Sequence, residues 1–386
     1  MTLRRRLLWS TAALLVVAFG IQLAFVLGVG EHPLSDVVNV YRLRHVGPGA
    51  LPYLDRPMEY PVLIGFTLYG AAVVAWSSVS VFVVTALLTG SLALVATVLL
   101  GDRAGARAWR WALAPPLALY VFQNWDLLAI VPMIVGILAF ERRRDGLSGG
   151  ALAFGAAAKL FPAVLLPPLL AVRLAERDRR GTLRLVVGAA VVSGAINLPV
   201  LLASPSGWWS PFRFQSARRA TWGSVWSYAF KLPGVHGLVA GQAASAANAV
   251  SLAVLGIGLG WLVMRAWRHA LAPAAVAAAA VAIFVLSNKV YSPTYDLWLV
   301  PFFVLLALPR RLWVTFCALD LAVYLTVYGY FQGLHSVEFV HAVLPTLVFA
   351  RAGVLIAVIW LATRAPPRAR GGTPDAAARP PVTSVG

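Results

Sequence analysis

Apolar runs long enough to cross a bilayer recur from near the amino terminus to about residue 363, and this limits the fold more than any other feature. Clear runs lie near 7–29, 80–100, 184–203, 248–264, 271–287, 312–330 and 342–363, with shorter ones near 61–76, 111–122, 126–140, 148–158, 161–173 and 297–309. A helical span needs roughly 20 apolar residues. The hydrocarbon layer offers no water to backbone amides, so only helices or closed barrels cross it. A barrel would show short alternating segments, and these are missing from the chain. The expectation is an all-α, polytopic transmembrane bundle of about ten to thirteen crossing helices, with residues 1–363 forming a single integral membrane domain. Composition agrees: 60% of the 386 residues are hydrophobic and 12% charged, against roughly a quarter charged in soluble domains.

The net charge of +18 does not point to nucleic acid. Most of the arginines sit in short clusters between apolar runs, as topogenic signals do. With the amino terminus in the cytoplasm and 61–76 dipping into the outer leaflet without crossing, the clusters at 102–110, 141–145, 173–184, 265–269 and 309–311 all fall on the cytoplasmic side. Arg42, Arg44, Arg56, Arg213, Arg218, Arg219, Lys231 and Lys289 fall outside. Runs 148–158 and 161–173 read as two short crossings meeting at Lys159-Leu160-Phe161-Pro162. The first run follows Arg4-Arg5-Arg6, is too long for a typical signal peptide, and reads as a retained span. Residues 364–386, rich in Pro, Gly and Ala, read as a disordered cytoplasmic tail. The lone Cys317 excludes an internal disulfide.

This sorting leaves chemically varied outer loops and plain inner ones, so chemistry or recognition is expected on the outer face. Asp36 and Glu59 bracket the first outer loop near the hydrocarbon boundary. A partly desolvated carboxylate there could act as a general base toward a hydroxyl; both are catalytic candidates, and each could equally be an ordinary loop acid. Asn124 and Asp126 could bind a sugar hydroxyl, or Asp126 could cap the helix that follows. Lys159, inside an apolar run, must snorkel, pair or meet a ligand. The break at Pro162 would expose N–H groups suited to an anion. The stretch 206–234 combines tryptophans with Arg218 and Arg219, fit for the headgroup belt or for phosphate. Residues 286–301, LSNKVYSPTYDLWLVP, place Lys289, Tyr291, Ser292, Tyr295 and Asp296 between greasy segments, as one wall of an outward-facing site would. Asp320 and Arg351 read as buried charges pairing across helices. Gly-rich stretches such as 256–260 read as helix packing. Zinc clusters, P-loops, dinucleotide fingerprints and serine-nucleophile motifs are lacking.

Five segments together resemble a known family: MEYPVL (58–63), QNWDLLA (123–129), GAAAKLFP (155–162), FRFQSARRATWGSVW (212–226) and NKVYSPTYDLWLVP (288–301). Their order and spacing resemble the actinobacterial branch of glycosyltransferase family 87, which is similar to the polyprenyl-phosphate-mannose-dependent α-mannosyltransferases of the GT-C membrane fold. The resemblance spans about residues 7–363. It implies a sugar donor on a polyprenyl phosphate, taken from the outer leaflet of the cell membrane. It further implies a glycolipid or cell-envelope glycan acceptor, inversion at the anomeric carbon, and no metal or other cofactor. It places the base at Asp36, a Tyr-Pro motif at Tyr60-Pro61-Val62 and a Lys-x-x-Pro motif at Lys159 to Pro162. One departure stands out. The better-known members resemble Ser-x-x-His-His where this chain has Ser292-Pro293-Thr294-Tyr295-Asp296, so the resemblance leaves the sugar open between mannose and another hexose or pentose.

The expected function is therefore a membrane glycosyltransferase with donor phosphate and sugar held by Lys159, Lys289, Arg218, Arg219, Asn124, Asp126, Tyr291, Ser292 and Tyr295. The alternative is a polytopic lipid or glycan transporter or flippase. A transporter would show two similar halves and polar motifs at the midplane, and neither is evident.

Overall fold

The computed structural model describes residues 1–231 and 243–364. The expected tail, from residue 365 on, lies outside the described residues. Among these the chain is helical, with only isolated bridges in the first loop (Gly47 with Ala50, Pro52 with Arg56). In chain order the helices are α1 (Leu3–Val26), α2 (Asp36–Arg44), α3 (Val62–Val74), α4 (Ser78–Ala104), α5 (Trp109–Ala112), α6 (Pro115–Tyr120), α7 (Leu127–Glu141), α8 (Asp145–Ala158), α9 (Leu166–Ala175), α10 (Arg179–Ala203), α11 (Pro205–Trp208), α12 (Ser210–Ala217) and α13 (Trp226–Ala229). They continue with α14 (Ala243–Arg268), α15 (Pro273–Ser287), α16 (Asp296–Leu305), α17 (Arg310–Phe331) and α18 (Val337–Ala362). Six are long and apolar enough to cross a membrane, and α3, α7, α15 and the helical stretches Phe161–Ala175 and Pro293–Leu305 are shorter apolar segments. The chain is an all-α polytopic membrane bundle.

Contacts define two ends. α1 and α4 run antiparallel, with the Thr97 hydroxyl donating to Thr11 at 3.2 Å and Phe19 stacked on Phe82. At the end that holds the amino terminus, arginines meet acids. Arg103 pairs with Glu141 at 2.7 Å, Arg143 with Glu176 at 2.6 Å, and Arg173 with Asp145 at 2.7 Å. At the far end, the Asp36 amide donates to the Gln123 carbonyl at 2.9 Å, and Gln332 donates to the His32 carbonyl at 2.9 Å. α3 keeps both of its ends at this far side. Tyr60, just before it, reaches Asp36, and Arg42 of α2 donates to Ser78, just after it, at 3.2 Å. α3 therefore enters and leaves on the same side of the bundle.

Local sequence explains the elements that build the site. Ser35 caps α2 by accepting from the Val38 amide, and Asp36 in the first turn with Arg42 and Arg44 in the last complements the helix dipole. α8 stops at Lys159, whose backbone is extended, and Pro162 in the 3-10 turn Phe161–Leu165 prevents its continuation into α9. α8 lies very close to α10. A Cβ at Gly149 would sit 1.9 Å from the Leu185 carbonyl oxygen, and one at Gly188 would sit 2.1 Å from that of Gly146. Only glycine permits such an approach.

Candidate active site

At the far end, α2, the segment before α3, the turn before α7, the α8–α9 break, α12 and the segment before α16 enclose a cavity of about 300 Å³. Asp36, Glu59, Asn124, Lys159, Arg218, Ser292 and Tyr295 all line it. They come from six separate stretches of chain, and the fold brings these candidates of the sequence together.

Asp36 sits in the first turn of α2. Its Oδ2 accepts from Asn124 Nδ2 at 2.6 Å and from the Tyr60 hydroxyl at 3.2 Å, and Asn124 also donates to the Tyr60 oxygen at 3.2 Å. Both bonds fall on one oxygen and fix the carboxylate's orientation. Burial pushes the Asp36 carboxyl above the usual carboxylate range, opposed by the Lys159 ammonium. Glu59 stands nearer the rim, 3.7 Å from Arg44 Nε. Burial raises its pKa too, with Arg44 opposing.

Lys159 is 7% exposed. Its Nζ lies 2.6 Å from Asp126 Oδ1 and within cation–π range of Tyr60 at 5.4 Å, Trp298 at 5.7 Å and Tyr295 at 6.0 Å. The lysine is thus both paired and presented to the cavity. Asp126 lies behind it, not in the lining. It sits at the N-cap position of α7 but makes no side-chain cap bond. Instead its Oδ1 accepts from Trp298 Nε1 at 2.7 Å, and its Oδ2 is buried without a hydrogen-bond partner.

The remaining basic candidates separate. Arg218 lines the cavity, its guanidinium 5.8 Å from the Phe214 ring centroid. Arg219 is exposed and outside the lining. Lys289 is buried, and its Nζ donates to the Ser216 carbonyl at 3.0 Å and to the Arg218 carbonyl, so it holds the Arg218 backbone from outside the lining. Tyr295 is stacked on Trp298 at 3.9 Å and faces the cavity. Tyr291 lies behind the wall, donating to Asp296 beneath the Arg351 guanidinium, 3.7 Å from the ring centroid. Arg351, fully buried, pairs with Asp296 at 3.0 Å and donates to the Gly223 carbonyl at 2.8 Å. Asp320, the other charge read from sequence as buried, accepts from the Tyr120 hydroxyl at 2.7 Å. Asp296 is therefore a buried ion-pair member, not a wall group.

Several lining residues were not singled out as site residues from sequence: Asn39, Tyr60, Phe214, Gln215 and Thr294. For Asn39 a signal existed, since it lies three residues from Asp36 on one helix face. For Phe214 and Gln215 none did.

An apolar groove of about 520 Å³ adjoins the cavity, walled by α8, α10, the α9 region and α12. The two spaces are lined by residues one or two apart in the chain. Tyr60 lines the cavity and Pro61 and Val62 the groove; Lys159 lines the cavity and Leu160 the groove; Phe214 and Phe212 of α12 divide likewise. Neighbouring residues lie 3.8 Å apart along the chain, so the lysine's own segment of backbone borders both spaces.

The model of glycosyltransferase family 87 matches residues 60–288. No curated protein matches the chain.

Proposed function

Given that the chain belongs to glycosyltransferase family 87, and is thus a membrane glycosyltransferase, we propose that it moves a sugar from a polyprenyl-phosphate donor to a lipid or glycan acceptor at the outer face of the cell membrane, with inversion. The observation that carries this reading is the juxtaposition of a buried ammonium, Lys159, with an oriented carboxylate, Asp36, in one cavity that adjoins an apolar groove. An amphiphile with an anionic head and a long hydrocarbon chain fits that pair of spaces. The head lies against Lys159 and Arg218, and the chain in the groove.

The step is a single displacement. The acceptor oxygen bonds to the anomeric carbon as the bond from that carbon to the phosphate oxygen breaks. Negative charge gathers on the departing polyprenyl phosphate, where Lys159 and Arg218 stabilise it, and a water-poor site strengthens the effect. The acceptor hydroxyl's proton passes to Asp36. Tyr60 and Asn124 hold its Oδ2, which leaves Oδ1 to take the proton. One base suffices, unlike the paired carboxylates of hydrolases that work through water. Lys289 acts here through Arg218, whose carbonyl it holds, and Asp126 through Lys159. Arg219, Tyr291 and Ser292 serve as outer, supporting and wall groups respectively.

The test is transfer by the purified protein in liposomes, offered mannose and other hexoses and pentoses on polyprenyl phosphate and, separately, as nucleotide sugars. Transfer from a polyprenyl-phosphate sugar with inverted product is expected. Transfer from nucleotide sugars alone would sink the reading.

A further inference from the structure

The end of the bundle that holds the amino terminus divides in two by charge. Around α7 to α10 its arginines are matched by acids: Arg103 with Glu141, Arg143 with Glu176 and Arg173 with Asp145. The other half is built where α14 gives way to α15, α16 to α17, and α18 ends. Arg110 ties it to the first half by donating to the Phe303 and Leu308 carbonyls at 2.9 and 3.0 Å. Arg268, Arg310, Arg311 and Arg364 stand there, all exposed, and none of them has an acidic partner among the described residues. The chain has no Asp or Glu between 179 and 295. Asp320 lies about 15 Å along α17 from Arg310, and Glu338 opens α18 at its opposite end.

These segments enclose a cavity of about 450 Å³, within the usual size of a small-ligand site. Apart from Arg364, every side chain lining it is alanine, leucine or proline. Each of its three walls carries one of the arginines without an acid. Arg268 comes two residues before Ala270 in the first wall, Arg310 directly follows Pro309 in the second, and Arg364 is itself part of the third. The surroundings mark the depth. Trp267 and Trp360 are about half exposed, and the Arg364 guanidinium lies 3.1 Å from the Trp360 ring centroid. Exposed tryptophans beside arginines at the ends of apolar helices belong at the level of lipid headgroups.

We propose that this cavity is a binding site for an anionic phospholipid, with an acyl chain among the alanines and leucines and the phosphate held by Arg268, Arg310 and Arg364. It lies at the opposite end of the bundle from the candidate active site and does not depend on the transferase reading. A basic pocket between helix ends suits an anionic headgroup, and arginine grips phosphate through paired N–H groups. The apolar lining gives a lipid what a free phosphate could not use. The chain's own residues 365–386 are a poor occupant: they carry three arginines against one aspartate, and no leucine, isoleucine or aromatic residue.

The test is lipid titration of the full-length protein in detergent, with bound lipid counted by native mass spectrometry. Phosphatidylglycerol and phosphatidylcholine with the same acyl chains are compared. Wild type should retain one phosphatidylglycerol at least about tenfold more tightly than phosphatidylcholine. Arg268→Gln/Arg310→Gln/Arg364→Gln, at three exposed positions, should weaken phosphatidylglycerol at least about tenfold, the worth of one or more charge-assisted hydrogen bonds, and leave phosphatidylcholine unchanged. Ala307→Trp, at an exposed lining position, should fill the cavity and weaken phosphatidylglycerol with the arginines intact. Equal retention of the two lipids by wild type overturns the proposal, as does either variant binding phosphatidylglycerol within twofold of wild type. If glycerol phosphate displaces the lipid at equal concentration, the site is one for a free phosphate; if a peptide of residues 365–386 does so, the tail is the occupant. Either result overturns the lipid assignment.

Discussion

Replacing Lys159 by Met bears on two roles, its pairing with Asp126 and the phosphate binding proposed for it. The ammonium neutralises Asp126 at 2.6 Å, and the Asp126 side chain has no solvent exposure while that of Lys159 has 8%. Removing one partner of such a pair leaves an uncompensated buried charge and costs about 3–5 kcal/mol. Asp126 keeps one bond, from Trp298 Nε1, and already has one oxygen without a partner, so it has little with which to make up the loss. Lys159→Met should therefore lower the thermal midpoint of the detergent-solubilised protein and abolish donor use together. The double variant Asp126→Asn/Lys159→Met removes the stranded charge, and the amide oxygen can still accept from Trp298. Its stability should return most of the way to wild type, whereas transfer should stay at least about 100-fold down, because the departing phosphate has lost its nearest cation. Thermal melting followed by tryptophan fluorescence, beside initial-rate kinetics, reads both quantities. If the double variant regains transfer, Lys159 serves only to neutralise Asp126 and the phosphate assignment fails. If it melts as low as the single variant, the buried-charge reasoning fails.

Three further outcomes follow from the same geometry. Asp36→Asn should fold and bind donor yet lose about 10²–10⁴ in transfer, the usual worth of a general base, while Glu59→Gln loses less in kcat; near-normal turnover in Asp36→Asn with a dead Glu59→Gln would move the base to Glu59. Because burial raises the Asp36 pKa, kcat/KM should fall as pH drops through a value above the ordinary carboxylate range, since the base is then protonated; a flat acid limb down to that ordinary range would contradict it. Lys289→Met should weaken donor binding by freeing the Arg218 carbonyl, and combining it with Arg218→Met should add little, whereas additive losses would mean that Lys289 touches the donor itself.

The sequence carried the helices and much of the wall, and the reasons differ. Apolar runs report burial or lipid directly, so the bundle could be read from them, including the short α3. Asp36, Asn124 and Lys159 stood out because polar groups are costly beside apolar spans. The fold then joined them with Arg218, Ser292 and Tyr295 in one cavity. What could not be read was partnership. Lys159 had no acid near it in sequence, and its counterion Asp126 is 33 residues away, brought close only because the α8–α9 break meets the start of α7. Arg351 and Asp320 each invited a partner on another helix, and the sequence named neither. The structure pairs Arg351 with Asp296, because the first turn of α16 turns that carboxylate inward while Tyr295, one residue earlier, faces the cavity. The divide between wall groups and supporting groups in residues 288–296 is set by that turn, and composition does not show it.

The break at Lys159 also bears on how the protein is assembled. The helical stretches on either side, Asp145–Ala158 and Phe161–Ala175, are each short of a full bilayer span; Arg173 meets Asp145 at their other ends, so they form a hairpin whose tip carries a charge. An unpaired lysine within an apolar stretch is costly in the membrane. Its counterion is on the element made just before it. Asp126 and α7 precede the tip in the chain, so the partner is synthesised before the charge it pairs with. A chain permuted so that α7 were made last would insert that hairpin against an unpaired charge, and the order of the helices along the gene is in this respect part of the site's construction.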